Sequence, residues 1–174
     1  MTAGRQVFKD HKMEVWAVTE QLDDHTTREK THVVHPGAAV ILAITQANQI
    51  VLIRNRRDAI NQSLLELPAG TLEPPEPPIT CAARELREET GYEAAVISPL
   101  TTFYTTPGFC TEEMHAFTAR DLTFVGQDLA AGEDIEVTLV PLPEVKAMMR
   151  SGTLRDGKTL ATLGVYFMQS DNAL

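Results

Sequence analysis

The chain has 174 residues, 43% of them hydrophobic and 22% charged, with a formal net charge of −9. That length suits one domain with a substantial core, and the acidic balance excludes bulk nucleic-acid binding, which needs a basic surface to neutralise phosphates. No run approaches the roughly 18 apolar residues of a membrane span, and the opening MTAGRQVFKDHK lacks the apolar centre of a secretory signal.

Cys81 and Cys110 form no CxxC pair and read as free thiols, so a reducing, cytoplasmic setting without a membrane partner is expected. A small phosphorylated substrate stays compatible with the acidic charge, because bound cations can invert a local field.

Residues 13–19 mix β-branched and aromatic side chains and read as a strand. A polar turn over 21–27 follows, then a second strand over 28–35. Pro36-Gly37 punctuates, 38–45 reads as a buried strand, and 50–54 returns after a turn at 46–49. A short strand over 64–67 runs into Pro68-Ala69-Gly70. The stretch Glu73-Pro74-Pro75-Glu76-Pro77-Pro78 cannot be helical. Residues 79–89 are rich in helix formers, Pro78 suits a first helical turn, and Thr90-Gly91 ends the helix. Further strands are expected at about 95–97, 101–104, 114–119 and 136–141, and helices over 143–151 and 156–170. Interspersed helices and strands make the class α/β or α+β with a mixed sheet. The hairpin-rich start, residues 1–36, reads as a small β element before a main domain over 37–174.

The helix over 79–89 carries the chemistry. Glu85 and Glu89 are four apart and share a face; Glu88, three from Glu85, lies beside them. Three carboxylates on one face repel, by a few tenths of a kcal/mol per pair on an exposed helix. A hard divalent cation would offset that, and magnesium favours a few carboxylates plus substrate phosphates. Leu86 and Ala82 lie on other faces and can anchor the helix to the core. Carbonyls of the loop over 70–78 could complete a coordination sphere. A solvated helix with patterned charges would explain the carboxylates alone. The longer spacing points further.

Gly70, five residues, Glu76, seven residues, then Arg84-Glu85-Leu86-Arg87-Glu88-Glu89-Thr90-Gly91-Tyr92 resembles the Nudix box, G-x5-E-x7-R-E-U-x-E-E-x-G-U, at every defining position. Tyr92 is the softest match to U, a bulky apolar residue. Glu66-Leu67-Pro68-Ala69-Gly70 looks like the lead-in of Nudix enzymes acting on ADP-ribose and nucleoside diphosphate sugars. Arg57, nine positions before Glu66, stands where those enzymes carry a substrate-contacting arginine. Pro107, sixteen residues after Gly91, matches the proline that marks ADP-ribose pyrophosphatases, and Glu112 follows as in many relatives. Arg28 matches a position where an N-terminal arm contributes to the substrate pocket in some relatives. The resemblance covers roughly residues 28–167.

It implies the Nudix α/β/α sandwich, a homodimer that swaps the N-terminal β element, and a small nucleotide as substrate. It further implies magnesium, or manganese, held by Glu85, Glu88, Glu89 and the carbonyl of Ala69. Arg84 then orients the glutamates through charge-assisted hydrogen bonds, and Glu76 has a structural or capping part. Arg57, Glu66, Arg28, Pro107 and Glu112 match substrate-binding positions. The expected reaction is hydrolysis of the diphosphate of ADP-ribose or a nucleoside diphosphate sugar to a nucleoside monophosphate and a sugar phosphate. A dinucleoside polyphosphate, a modified nucleotide, a coenzyme A derivative, or a non-catalytic ligand sensor are the rivals. One departure stands out. Relatives often place a further acid, a base or metal ligand, on a distal loop, here Ala130-Ala131-Gly132-Glu133-Asp134-Ile135-Glu136, where Glu133 aligns best with a loop metal ligand and Ala131 replaces a second glutamate. Either Glu133 works there, Glu112 substitutes, or a box glutamate serves as base. The five histidines make no metal-ligand spacing with the cysteines.

Overall fold

A computed structural model describes residues 4–129, 132 and 134–171. Along the chain come β1 (Gly4–Lys9), β2 (Glu14–Gln21), β3 (Thr27–Val34), β4 (Ala38–Ala43), β5 (Gln49–Arg57), a short turn of 3-10 helix, β6 (Gln62–Glu66) and β7 (Ala69–Thr71). Then follow α1 (Pro78–Thr90), β8 (Tyr92–Tyr104), β9 (Glu113–Phe124), β10 (Ile135–Pro141), α2 (Leu142–Ser151) and α3 (Gly157–Asp171). The strands make three sheets: β1-β2-β3, β10-β5-β6 and β7-β4-β9-β8. Among the described strands only the pair of β4 with β9 is parallel, so the fold is a mixed α/β arrangement, as the sequence implies.

Strand β4 shows why the layers form. All six of its residues are buried. Alternate side chains point to opposite faces. Ala39, Ile41 and Ala43 pack with Cys81, Ala82 and Leu86 of α1. Ala38, Val40 and Leu42 pack with Leu154, Leu163 and Phe167 on the α3 side. A strand covered on both faces needs a continuous apolar run, which is what 38–43 supplies. Burying each Ile or Leu here stabilises by roughly 1.5–3 kcal/mol.

Several elements differ from the sequence reading, among them β9, which runs on to Phe124. β1 is exposed throughout, so no burial pattern announces it. β7 is only three residues long and exists by pairing Ala69, Gly70 and Thr71 with Val40, Ala39 and Ala38. β5 continues past Arg54 to Arg57 because β6 pairs along it, Arg57 opposite Gln62. The separate strands expected at 95–97 and 101–104 are one strand, β8, whose register shifts between Pro99 and Thr101. Pro99 lacks a ladder donor, and a bulge lets the strand pass it.

Helix α1 opens with Pro78 at its first turn and closes on Gly91 at φ 74°. A Cβ at Gly91 would sit 2.8 Å from the backbone of Gly126 and Gln127. Glycine is therefore required twice over, for its left-handed conformation and for the close passage of the segment after β9. Among the described residues no helix is long and apolar enough to cross a membrane.

Candidate active site

Strand β7 and helix α1 build the site together. The Ala69 N–H donates to Glu89 Oε2 at 2.9 Å, which draws the last turn of the helix against the strand. A Cβ at Gly70 would lie 1.8 Å from the Glu85 carboxyl carbon, so the carboxylate occupies the space a side chain would fill. Glu89 is only 5% exposed.

Arg84 organises the acids. Its Nη1 donates to Glu85 Oε1 at 2.7 Å and to Glu88 Oε2 at 3.0 Å. Its Nη2 donates to Glu76 Oε1 at 2.8 Å and to the Thr71 carbonyl at 3.4 Å. The hydrogen bond to Glu76 holds the guanidinium above its ordinary pKa; burial opposes this and the Glu85 charge reinforces it. Reciprocally, the Arg84 hydrogen bond holds the Glu76 carboxyl below the usual carboxylate range. Glu76 Oε1 also accepts the Glu73 N–H at 2.9 Å, so this glutamate ties the proline-rich loop to the helix. Cys81 lies beneath, its Sγ 3.6 Å from the Gly70 and Thr71 carbonyls. Burial, then the charges of Glu85 and Glu76, push the thiol up to about 12, which leaves it unreactive.

A cleft of about 1370 Å³ is lined by Ala69, Gly70, Arg84, Glu85, Glu88 and Glu89, by Arg57, by Asp128, and by the β1–β2 turn from Asp10 to Met13. A smaller cavity of about 480 Å³ is lined by Glu112, Tyr104, Thr105, Thr106, Asp156 and Lys158. Arg57, Ala69, Gly70 and Thr71 border both, so the two spaces share a wall.

The remaining expected site residues are spread over different places. Glu66 is fully buried behind Arg57, whose Nε donates to Glu66 Oε1 at 2.8 Å. That pairing raises the Arg57 pKa and aims its fork. Lys158 also donates to Glu66 and to Asp156 Oδ2, the latter at 3.0 Å. Burial works against ionisation of Asp156, but the Lys158 charge and the Thr159 hydrogen bonds outweigh it and hold the carboxyl low. Glu112 accepts from Thr105 Oγ1 at 2.6 Å, with His35 Nδ1 3.7 Å from its other oxygen. Pro107 is exposed in a turn that docks onto β3 through the Val33 N–H and the Phe109 carbonyl, at 2.7 Å. Arg28 lines neither cavity and pairs with Glu20 at 2.6 Å on the hairpin. Glu133, with the neighbouring Ala130 and Ala131, lies outside the described residues.

Two residues escaped the sequence reading. Lys158 reaches Glu66 across the fold from the start of α3, and no local pattern signals that. Asp128 lines the cleft from just before the loop over 130–136, and its place between β9 and that loop is the signal available in the sequence.

Glutamine at position 66 would remove a buried charge shared by two cations. We expect Glu66→Gln to destabilise by about 2 kcal/mol, a fall in Tm of roughly 4–8 °C for a chain of this size. A melting curve that matches the parent would show the network carries no stability.

Among the described residues no three His, Cys, Asp or Glu side chains converge as a ready ion centre. Arg84 stands between Glu85 and Glu88, and Glu89 accepts from Ala69. The donor chemistry nonetheless fits a hard divalent cation: three carboxylates on one helix face border one open cleft, and such ions take oxygen ligands and keep several waters.

Comparison with known proteins bears on this geometry. Residues 34–163 match the family model described as NUDIX domain. The chain is 33% identical over 174 residues to the ADP-ribose pyrophosphatase of Bacillus subtilis, covering 99% of this chain and 93% of that protein. It is 38% identical over 136 residues to the GDP-mannose pyrophosphatase of Citrobacter koseri, covering 73% and 71%. A solved structure described as an ADP compounds hydrolase superposes with a TM-score of 0.85, over 98% of this chain and 92% of that one; at 19% identity this is a likeness of fold.

Proposed function

The chain belongs to the Nudix family of diphosphate-cleaving hydrolases, and from that premise we propose that it hydrolyses ADP-ribose or a related nucleoside diphosphate sugar to a nucleoside monophosphate and a sugar phosphate. The observation that carries this reading is the shared wall: Arg57 and the Ala69–Thr71 strand stand between a large carboxylate-lined cleft and a smaller cavity. A substrate with a diphosphate between two bulky groups suits two spaces that meet at an arginine. The relatives named for ADP-ribose and GDP-mannose act on compounds of that shape.

Glu85, Glu88 and Glu89, with the Ala69 carbonyl, would hold magnesium or manganese, which neutralises phosphate charge and makes water more acidic. The chain's own residues prepare the ground. Arg84 holds Glu85 and Glu88 side by side despite their repulsion. Glu66 keeps Arg57 charged and directed, and the planar fork of an arginine can meet two phosphate oxygens at once. Water adds to one phosphorus, and the bridging P–O bond breaks with its oxygen leaving on the other phosphate. One water is consumed per bond cleaved.

The test is a side-by-side measurement of kcat/KM. A nucleoside triphosphate leaves the smaller cavity empty and forfeits binding that could be used in the transition state. ADP-ribose, GDP-mannose or a comparable nucleotide sugar should exceed ATP and dGTP by about tenfold or more, equivalent to roughly 1.4 kcal/mol. A triphosphate or dinucleoside polyphosphate in first place would reject this substrate class.

A further inference from the structure

The joint between β3 and β4 is fixed from both flanks. The Val33 N–H donates to the Phe109 carbonyl at 2.7 Å, and the Thr111 N–H donates to the Val33 carbonyl at 3.0 Å. The His35 N–H donates to Thr111 Oγ1 at 2.9 Å, and that hydroxyl donates to the His35 carbonyl at 3.2 Å. Two residues on, the Gly37 carbonyl accepts the Leu72 N–H at 3.0 Å, just past β7. The His35 side chain hangs from this pinned backbone and is 11% exposed. It borders the large cleft together with Glu85, Glu88 and Glu89.

The ring has a defined hydrogen-bonding state. Nδ1 accepts the Gly37 N–H at 3.1 Å, so its lone pair is engaged. Glu112 Oε1 lies 3.7 Å from the same nitrogen, beyond hydrogen-bond reach, and the other Glu112 oxygen accepts from Thr105. An imidazole whose Nδ1 accepts carries its proton on Nε2. Among the described residues that Nε2–H meets no acceptor. A donor on a ring this enclosed needs an acceptor, and an anion bound in the cleft brings one.

We propose that His35 is a substrate-binding residue whose Nε2–H donates to a diphosphate oxygen in the cleft. The proposal rests on the Nudix diphosphatase reading and deepens it. Arg84 and Arg57 are already engaged by carboxylates, whereas Nε2–H is a donor that no acid holds. The N-terminal β element thereby reaches the cleft of its own chain through its last residues.

The turn bond and the phosphate bond use different ring nitrogens, so they can be separated. Asparagine at this position can accept the N–H two residues on, as in an Asx turn, but extends no further than Nδ1 does. Glutamine extends an amide donor as far as Nε2 and loses the turn bond. The measurements are Tm, kcat and KM for ADP-ribose, and calorimetric affinity for pyrophosphate in the presence of magnesium. His35→Asn should keep the parent Tm and raise KM by about tenfold, the scale of one hydrogen bond to a charged group. Its kcat should change little, because the contact is made equally in the ground and transition states. Pyrophosphate affinity should fall by a similar factor. His35→Gln should melt earlier, yet bind both compounds more tightly than His35→Asn. A histidine that only closes the turn gives the reverse order, with His35→Asn like the parent and His35→Gln the weaker binder, and that result overturns the proposal. Should His35→Asn melt early, the order of the two variants in pyrophosphate affinity still decides between the two roles. A parent that binds pyrophosphate through His35 but cleaves no nucleotide sugar rejects the substrate reading and leaves this contact standing.

Discussion

Dialysis against EDTA is expected to abolish nucleotide hydrolysis, by at least about a thousandfold or roughly 4 kcal/mol of barrier, and magnesium or manganese is expected to restore it. The reason is the sign of the charge around the cleft. A diphosphate entering it meets Glu85, Glu88, Glu89 and Asp128. The neighbouring arginine offers little relief, because Arg84 is committed to Glu76, Glu85 and Glu88. Arg57 gives part of its charge to Glu66, which leaves only its remaining donors to meet a phosphate. Lys9 and Lys12 also line the cleft, from the exposed β1–β2 turn and beside Asp10 and Glu14, so the acids outnumber the cations and without a metal ion the site repels the anion it has to bind. Product formation followed by chromatography, before and after metal is returned, decides the point. Full turnover in excess chelator would sink the metal-dependent reading.

Glu89→Gln is expected to lower kcat by about a hundredfold or more, the scale of losing a principal electrostatic contributor. The variant is informative because its structural cost is small. Glu89 is 5% exposed and accepts the Ala69 N–H, and a glutamine carbonyl oxygen can accept the same bond. The fold should therefore survive with a melting temperature close to the parent's, while one negative charge leaves the cleft. Glu76→Gln should cost less, since Glu76 ties the Glu73 backbone and Arg84 together. Equal turnover in Glu89→Gln and the parent would make the box decorative in this chain.

The elements that could be read from sequence are those whose cause is local. A period of 3.6 residues places Glu85, Glu88 and Glu89 on one face whatever the helix packs against. The apolar run of β4 needs cover on both sides wherever the cover comes from. Gly91 announces the end of α1 because few other residues adopt its conformation. The family resemblance rests on the same local spacing, from Gly70 to Tyr92.

By itself, then, the sequence determined the box helix, its three acids, the buried strand beside it and the mixed α/β class, because spacing along the chain sets which side chains share a face. The tertiary structure alone decided the rest. β7 is a strand only because Ala38, Ala39 and Val40 pair with it. Glu66 is buried and still paired because Arg57 arrives from β5 and Lys158 from α3, 92 residues away. Asp128 joins the acids because unpaired carbonyls at the end of α1 capture the segment after β9. Arg28 stays out on its hairpin, paired with Glu20 across the two strands. Each of these outcomes depends on which distant backbone or charge satisfies a group that its own neighbours leave unsatisfied, and spacing along the chain carries no record of that partner.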